Sequence, residues 1–425
     1  MPTRRFRLKL DALDVRITPA TLRVDDDLAQ FPNAKYQTIQ AAVNASLPGD
    51  TVLVAPGSYA EQVYIGAGHN GLTLRSQVPL AAVISLPASA PAVSAIVTID
   101  YSTGVDVNGF TIAGPGAFSG QLYDGLEVNH RASVTVRNNL FRDIGNLTGG
   151  GDGDGGEGGA DDPTGIAVYV GADGGGAAVI RNNTFLRYGQ AGIVVDGPNS
   201  SATITGNTLI GAGPTAAVAQ IGVQISQNGS AQVSNNLITG HDYTGAPGNP
   251  ADPTDNPLTA VGVLVYQAGA VTVTRNQLLA NQTGVYVQDQ SNTVLIQRNT
   301  IAGSTLDGVN LDLARASTSV LNNSVSDSGR DGIHLQSNSY NNTVARNTVT
   351  GSGRYGIASV PTVYGADPAY DVVAPAGNVI VGNTVSGSGA FDLFALSVPG
   401  SQNGEAINDL WAGNTYGTKN RPGLR

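Results

Sequence analysis

A four-residue phrase returns along this chain at a fixed interval: Arg298-Asn299-Thr300-Ile301, Asn322-Asn323-Ser324-Val325 and Arg346-Asn347-Thr348-Val349. Its second residue is Asn, at 299, 323 and 347, two successive steps of 24 residues. A period of this size marks stacked supersecondary units, none of which can bury its apolar face alone. The same register runs through Asn139, Asn183, Asn207, Asn236, Asn276, Asn383 and Asn414. Longer steps, as from 139 to 183 and from 347 to 383, mark inserted loops.

Within each unit the apolar residues alternate, as in Val263 and Val265, Val285 and Val287, Val309 and Leu311, and Ile333 and Leu335. Period-two runs punctuated by Gly, Asn, Ser and Asp are short strands with one buried face. Three such strands with their turns use up about two dozen residues, and equivalent strands then stack in parallel at roughly 4.8 Å. The pattern predicts an all-β fold, a single-stranded right-handed parallel β-helix, the hand following the preference of parallel crossovers. The recurring Asn is expected to be structural. Asn tolerates the left-handed turn conformation, and stacked Asn side chains hydrogen-bond along the coil axis.

Upstream, Tyr36, Ile39, Val43 and Leu47 fall on one helical face, which predicts an amphipathic capping helix over 34–47, ended by Pro48-Gly49. A strand, a turn and a second strand follow through Asp50 to Glu61. The stretch from Tyr36-Gln37-Thr38-Ile39-Gln40 to Glu61-Gln62-Val63-Tyr64-Ile65 resembles the opening of right-handed parallel β-helix proteins of the pectate-lyase-like superfamily. Asp331-Gly332-Ile333-His334-Leu335 and Asn341-Asn342-Thr343-Val344 resemble the repeats of that group's periplasmic copper-associated and carbohydrate-binding members. The resemblance covers about 34–416 and implies the fold. It implies no named reaction, because the signature segments of pectin methylesterases and polygalacturonases have no counterpart in this chain.

Net charge is −10 and no basic stripe exists to displace counterions, which argues against nucleic acid. Cysteine is absent, so disulfides, thiolate nucleophiles and Cys-ligated metals are excluded. Lysine occurs only at 9, 35 and 419, which removes a Lys base from the repeats. The uncharged run 77–99 is broken by Pro79, Pro87 and Pro91 and does not read as a membrane span. Residues 1–24 are expected to form a separate, flexible targeting-like segment. Leu10-Asp11-Ala12-Leu13-Asp14-Val15-Arg16 resembles the segment that precedes large exported repeat proteins in some bacteria, which implies a periplasmic, cell-surface or extracellular location. The β-helix is expected over 25–418, with loop insertions near 149–163, 241–258 and 361–377, and a tail over 419–425.

If Val309 and Leu311 point inward, their strand neighbours point out, and the same rule exposes Glu127, Tyr169, Tyr266, Tyr286 and His334. Stacked coils turn these into columns along which a polysaccharide is able to lie. Tyr169, Tyr266, Tyr286 and Glu127 are the candidate contacts. The densest chemistry lies at 307–354, where Asp307, Asp331, His334, Arg330, Arg354 and Asp312 are candidate catalytic residues. Like charge one coil apart is expected to raise the pKa of one of Asp307 and Asp331, with the arginines pulling the other way. Such a set suits acid/base hydrolysis of a glycosidic bond, or removal of the C5 proton of a uronic acid. It equally suits a solvated ladder of alternating charge. Asp152, Asp154, Glu157, Asp161 and Asp162 in the Gly-rich insertion supply hard oxygen ligands for Ca²⁺, without EF-hand or β-roll spacing. His241 and Asp242 are expected on a surface turn or groove wall.

Three functions remain open. The first is an exported monomeric β-helix that binds a polysaccharide or cell-surface glycan, or serves as a scaffold or adhesion module. The second is a polysaccharide lyase, C5-epimerase or glycoside hydrolase. The third is a periplasmic metal-handling protein, against which one Met, no Cys and four His weigh.

Overall fold

The computed structural model describes residues 18–87, 95–114, 124–145, 165–245, 259–315, 317–363, 372–396 and 408–424. Three parallel sheets of 14, 13 and 12 strands run the length of the molecule, and each strand pairs with the equivalent strand of the next coil. One coil is represented by Val309–Ala314, Ser319–Leu321 and Ser324–Ser326, one strand in each sheet. Its residues pair with those exactly one period on: Val309 with Ile333, Val320 with Val344, Val325 with Val349. The fold is thus an all-β right-handed parallel β-helix of the pectate-lyase-like type.

The core is a set of aliphatic rows inside the coil. Val285, Val309, Ile333 and Ile357 form one, and Val273, Ile296, Val320 and Val344 another, all fully buried. Stacking like on like keeps every coil the same width, so a one-residue slip would turn a whole row to solvent. Toward the N-terminal half the filling becomes aromatic, with Phe141 and Phe185 stacked at 5.0 Å between centroids.

The repeated Asn occupies a column at one corner of the coil. Asn323 Oδ1 accepts from the backbone N–H (2.9 Å) and Nδ2 (3.0 Å) of Asn299, while Asn323 Nδ2 donates to Ile296 O (2.9 Å) and to Asn347 Oδ1 (3.0 Å). This bonding repeats from Asn139 to Asn414. The left-handed backbone conformation belongs to the residue before the column Asn, and not to that Asn as expected from sequence. Asn138, Asn182, Asn235, Arg275, Arg298, Asn322 and Arg346 have φ of 55–56°, and Gly206, Gly382 and Gly413 have φ of 62–66°. A second, shorter column joins Thr318 N–H to Asn342, Asn378 and Asp409.

The helix is shorter than expected and spans Ile39–Ala45. Thr38 caps it, and the Glu61 carboxylate accepts from the Ile39 and Gln40 N–H groups at 2.7 and 2.8 Å. The preceding residues are drawn into extended backbone, because Tyr36 bridges Val24. The solenoid likewise starts before residue 25, since Thr21–Val24 pairs in parallel with Thr51–Val54. At the other end Lys419 bridges Leu393 and Leu424 is buried, so 419–424 packs on the last coil. Thr362–Val363 and Val372–Val373 form a small antiparallel pair within the 361–377 insertion. The five acids from Asp152 to Asp162 lie outside the described residues. No described helix is long and apolar enough to cross a membrane.

Candidate functional site

The outward side chains of the 12-stranded sheet form rows running along the solenoid axis. One row passes from Glu127 through Tyr169, Val194, Gln224, Leu264, Tyr286 and Asn310 to His334. A parallel row two residues further along each strand holds Asp196, Ser226, Tyr266, Gln288, Asp312 and Gln336. From Tyr169 to His334 is six coil steps, or about 29 Å at roughly 4.8 Å each. Tyr169, Tyr266 and Tyr286 are half-buried, leaving part of each ring accessible. Tyr286 OH donates to Asp312 Oδ2 at 3.0 Å, which ties the two rows together.

The structure brings Asp307, Asp331, His334, Arg330 and Arg354 together, but not as a solvated ladder. Asp307 and Asp331 are fully buried and His334 is 4% exposed. The cause is a repeated clasp, in which the arginine of one coil folds over the carboxylate of the coil before it. Arg330 Nε donates to Asp307 Oδ1 at 2.8 Å and its NH2 group donates to Oδ2; Arg354 grips Asp331 the same way, Nε to Oδ1 at 2.9 Å. A backbone N–H completes each clasp, Asp331 N on Asp307 at 3.2 Å and Tyr355 N on Asp331 at 3.1 Å. Forked arginine–carboxylate bonds of this kind are among the strongest and most directional in proteins.

Like-charge repulsion therefore does not govern Asp307. Burial pushes its carboxyl up, but the bonds from Arg330, the nearby His334 ring and the Arg330 charge outweigh burial and hold it well below the usual range. Burial pulls Arg330 down and Asp307 more than restores it. Arg354 is raised by its bond to Asp331.

His334 sits between the two clasps, its Nδ1 at 3.5 Å from both Asp307 Oδ2 and Asp331 Oδ2. Neither ring nitrogen has a hydrogen-bond partner of good geometry. Asp307, Asp331 and His334 offer ligand atoms within 4.8 Å of one another, yet both carboxylates are already neutralised by guanidinium groups. Asp312 does not join the cluster; it lies on the neighbouring row under Tyr286. His241, expected on a surface turn, is fully buried at the end of strand Leu237–Tyr243. It bonds Tyr188 OH through Nε2 and Asn281 Oδ1 through Nδ1 at 2.9 Å, and burial lowers its pKa to about 4.

Glu127 has a partner that sequence reading missed. It is Asp124, on the same strand entry, whose carboxyl is pushed up to about 7 by burial and then by the Glu127 charge. Tyr169 is pushed up to about 12 by burial and then by Asp196, Asp124 and Glu127. The signal was in the sequence: Asp124-Gly125-Leu126-Glu127 has the same form as Asp307-Gly308-Val309-Asn310 and Asp331-Gly332-Ile333-His334.

Comparison with known proteins fits this architecture. A family profile described as "Right handed beta helix region" matches residues 95–247 and 261–401. Among solved structures, a mutant of a periplasmic alginate epimerase is similar over 88% of this chain and 77% of its own, at 13% identity and a TM-score of 0.53. The catalytic unit of a GH87 α-1,3-glucanase from Streptomyces thermodiastaticus strain HF3-3 is similar over 90% and 66%, at 14% identity and a TM-score of 0.58. The A-module of a mannuronan C-5 epimerase from Azotobacter vinelandii is similar over 90% and 94%, at 17% identity and a TM-score of 0.54. At these identities the likeness is one of fold. A sequence comparison with curated proteins finds no match.

Proposed function

We propose, from the premise that this chain belongs to the right handed beta helix region family, that it binds an extended polysaccharide along the outward face of its 12-stranded sheet. One observation carries this reading. The face offers half-buried Tyr169, Tyr266 and Tyr286 over a span of several sugar rings, while the acids at its densest point are locked in arginine clasps. Aromatic faces suit the apolar face of a sugar ring, and a row of polar neighbours suits its hydroxyls. A buried carboxylate held ionised by a half-buried guanidinium is a poor proton donor, which disfavours Asp307 as the acid of a hydrolase. The resemblance of the N-terminal segment to that of exported repeat proteins supports a place in the periplasm, at the cell surface or outside the cell. So does the fold shared with a periplasmic epimerase.

A second reading, a lyase or C5-epimerase acting on a uronic acid, is favoured by His334. Its ring nitrogens make no well-formed hydrogen bond within the protein, and imidazole is the side chain most often used to move a proton.

The two readings separate on a polysaccharide affinity gel. Tyr266→Ala with Tyr286→Ala is expected to weaken retention about tenfold, the loss of roughly 1.4 kcal/mol of stacking, with thermal midpoint unchanged. Retention unaffected by the double substitution would contradict the binding face. Retention unchanged with His334→Ala, while an unsaturated or epimerised product disappears, would establish the second reading.

A further inference from the structure

One corner of the coil, away from the 12-stranded face, carries positive charge that the fold does not use. It lies where the 14-stranded sheet turns into the 13-stranded one, at the residue before each column Asn. That residue has left-handed backbone, and in most coils it is Asn or Gly, which enter this conformation at least cost. Three coils place arginine there instead: Arg275, Arg298 and Arg346, with φ of 55°, 56° and 56°. All three side chains are exposed. An arginine with a structural partner looks different. Arg137, on the neighbouring row, is held by Asp106 through Nε at 2.9 Å and its NH2 group at 2.7 Å. Among the described residues no carboxylate pairs with Arg275, Arg298 or Arg346, although the chain has a net charge of −10.

The three arginines are in register. Arg275 and Arg298 stand on adjacent coils and Arg346 two coils further on, three coil steps in all, or about 14 Å. Exposed Gln277, Thr300, Ser324 and Thr348 run beside them on the 13-stranded sheet. At the Arg275 end the column shortens to Asn235 and Gly206, which leaves a recess of about 280 Å³ bordered by Arg275 and Gln277. Among the described residues of these coils no large apolar side chain is exposed.

We propose that this arginine column binds an acidic polysaccharide, one with a carboxylate on successive rings, laid along the solenoid axis. Guanidinium groups repeated at a fixed interval suit carboxylates repeated at a fixed interval, and each is able to take a carboxylate through two N–H donors. The hydroxyl and amide groups alongside suit ring hydroxyls. A membrane surface is a poorer match, because no apolar side chain is available to enter it. Asn322, between Arg298 and Arg346 in the same conformation, shows that the fold accepts Asn at this position. Arginine is therefore not required by the backbone, and its charge is what the position gains. The strip is distinct from the 12-stranded face and does not rest on the reading given to that face.

The test is affinity electrophoresis of the full chain in gels containing polygalacturonate or alginate, with dextran as the neutral control. Every chain compared carries Tyr266→Ala and Tyr286→Ala, so that these tyrosines do not contribute. Arg275→Asn, Arg298→Asn and Arg346→Asn are then introduced together. An exposed arginine–carboxylate pair is worth about a twofold to threefold change, so affinity for the uronate gel is expected to fall about tenfold. The thermal midpoint is expected to stay level or rise, since Asn relieves the left-handed strain. Retention of the parent chain is expected to weaken with added salt, as exposed charges are screened. The proposal is overturned if neither uronate gel retains the parent chain, if the triple variant is retained equally well, or if its thermal midpoint falls, which would make the arginines structural. Arginine-dependent binding to polyphosphate or to anionic lipid vesicles, without binding to either uronate, would overturn it as well.

Discussion

Each column Asn is surrounded on both sides by groups that depend on it. Removing the Asn323 side chain leaves Asn299 N–H and Nδ2 without their Oδ1 acceptor, and strips donors from Ile296 O and Asn347 Oδ1. An unpaired buried polar group costs about 1–3 kcal/mol, so Asn323→Leu is expected to lower stability by about 3 kcal/mol, read as a lower urea midpoint. An unchanged midpoint would place Asn323 outside the load path of the fold. A second residue-scale consequence comes from His241. Its folded pKa of about 4 lies below the model-compound value of 6.5, so the unfolded chain binds its proton more readily. Stability is full above pH 6.5 and falls as pH drops toward 4, by about 3 kcal/mol in total. His241→Gln is expected to flatten that part of the urea-midpoint profile; an equally steep profile would locate the acid sensitivity elsewhere. The positions of the column Asn residues were legible because repetition survives any local variation. The buried state of His241 was not, since it sits at the edge of a Pro-rich insertion whose composition reads as surface.

At the scale of the strand, the outward rows were placed correctly by alternation, yet their burial was not. Period two fixes which face a residue takes, but says nothing of what lies over that face. Arg330 and Arg354 come from the coil after the one they cover, and a sequence cannot show that a long side chain folds backward along the axis instead of reaching into water. A second feature of the same sheet is the glycine that opens its strands. A Cβ on Gly332 would lie 2.2 Å from Val349 Cγ1 and 2.6 Å from Gly356 O, and one on Gly308 would lie 2.6 Å from Gly332 O. The glycines stack on each other's carbonyls and set the coil's width at that corner. Gly332→Ala therefore overpacks two coils at once and is expected to cost about 2 kcal/mol, measured as a lower thermal midpoint. A midpoint at the wild-type value would mean that the corner relaxes freely.

The molecule as a whole is a continuous aliphatic tube closed at its N-terminal end by a short helix and lined outside by rows of polar and aromatic side chains. Its fold was readable almost completely from one repeated phrase, because a solenoid writes the same constraints into every coil. Its chemistry was readable only in part. Asp307, Asp331 and His334 were found by density, whereas Asp124 was missed because its partners are defined by what the adjoining coil lacks, a glycine at 165 in place of an arginine. In the proposed function the 12-stranded face holds polysaccharide and the arginine clasps are structural. The direct test is incubation of the purified full chain with a panel of neutral and uronic-acid polysaccharides, following retention on each glycan together with reducing ends, unsaturated products and C5 configuration by NMR. Retention on at least one glycan with no new product is the predicted result. New reducing ends, 4,5-unsaturation or inverted C5 centres would contradict it, and so would the absence of retention across the panel.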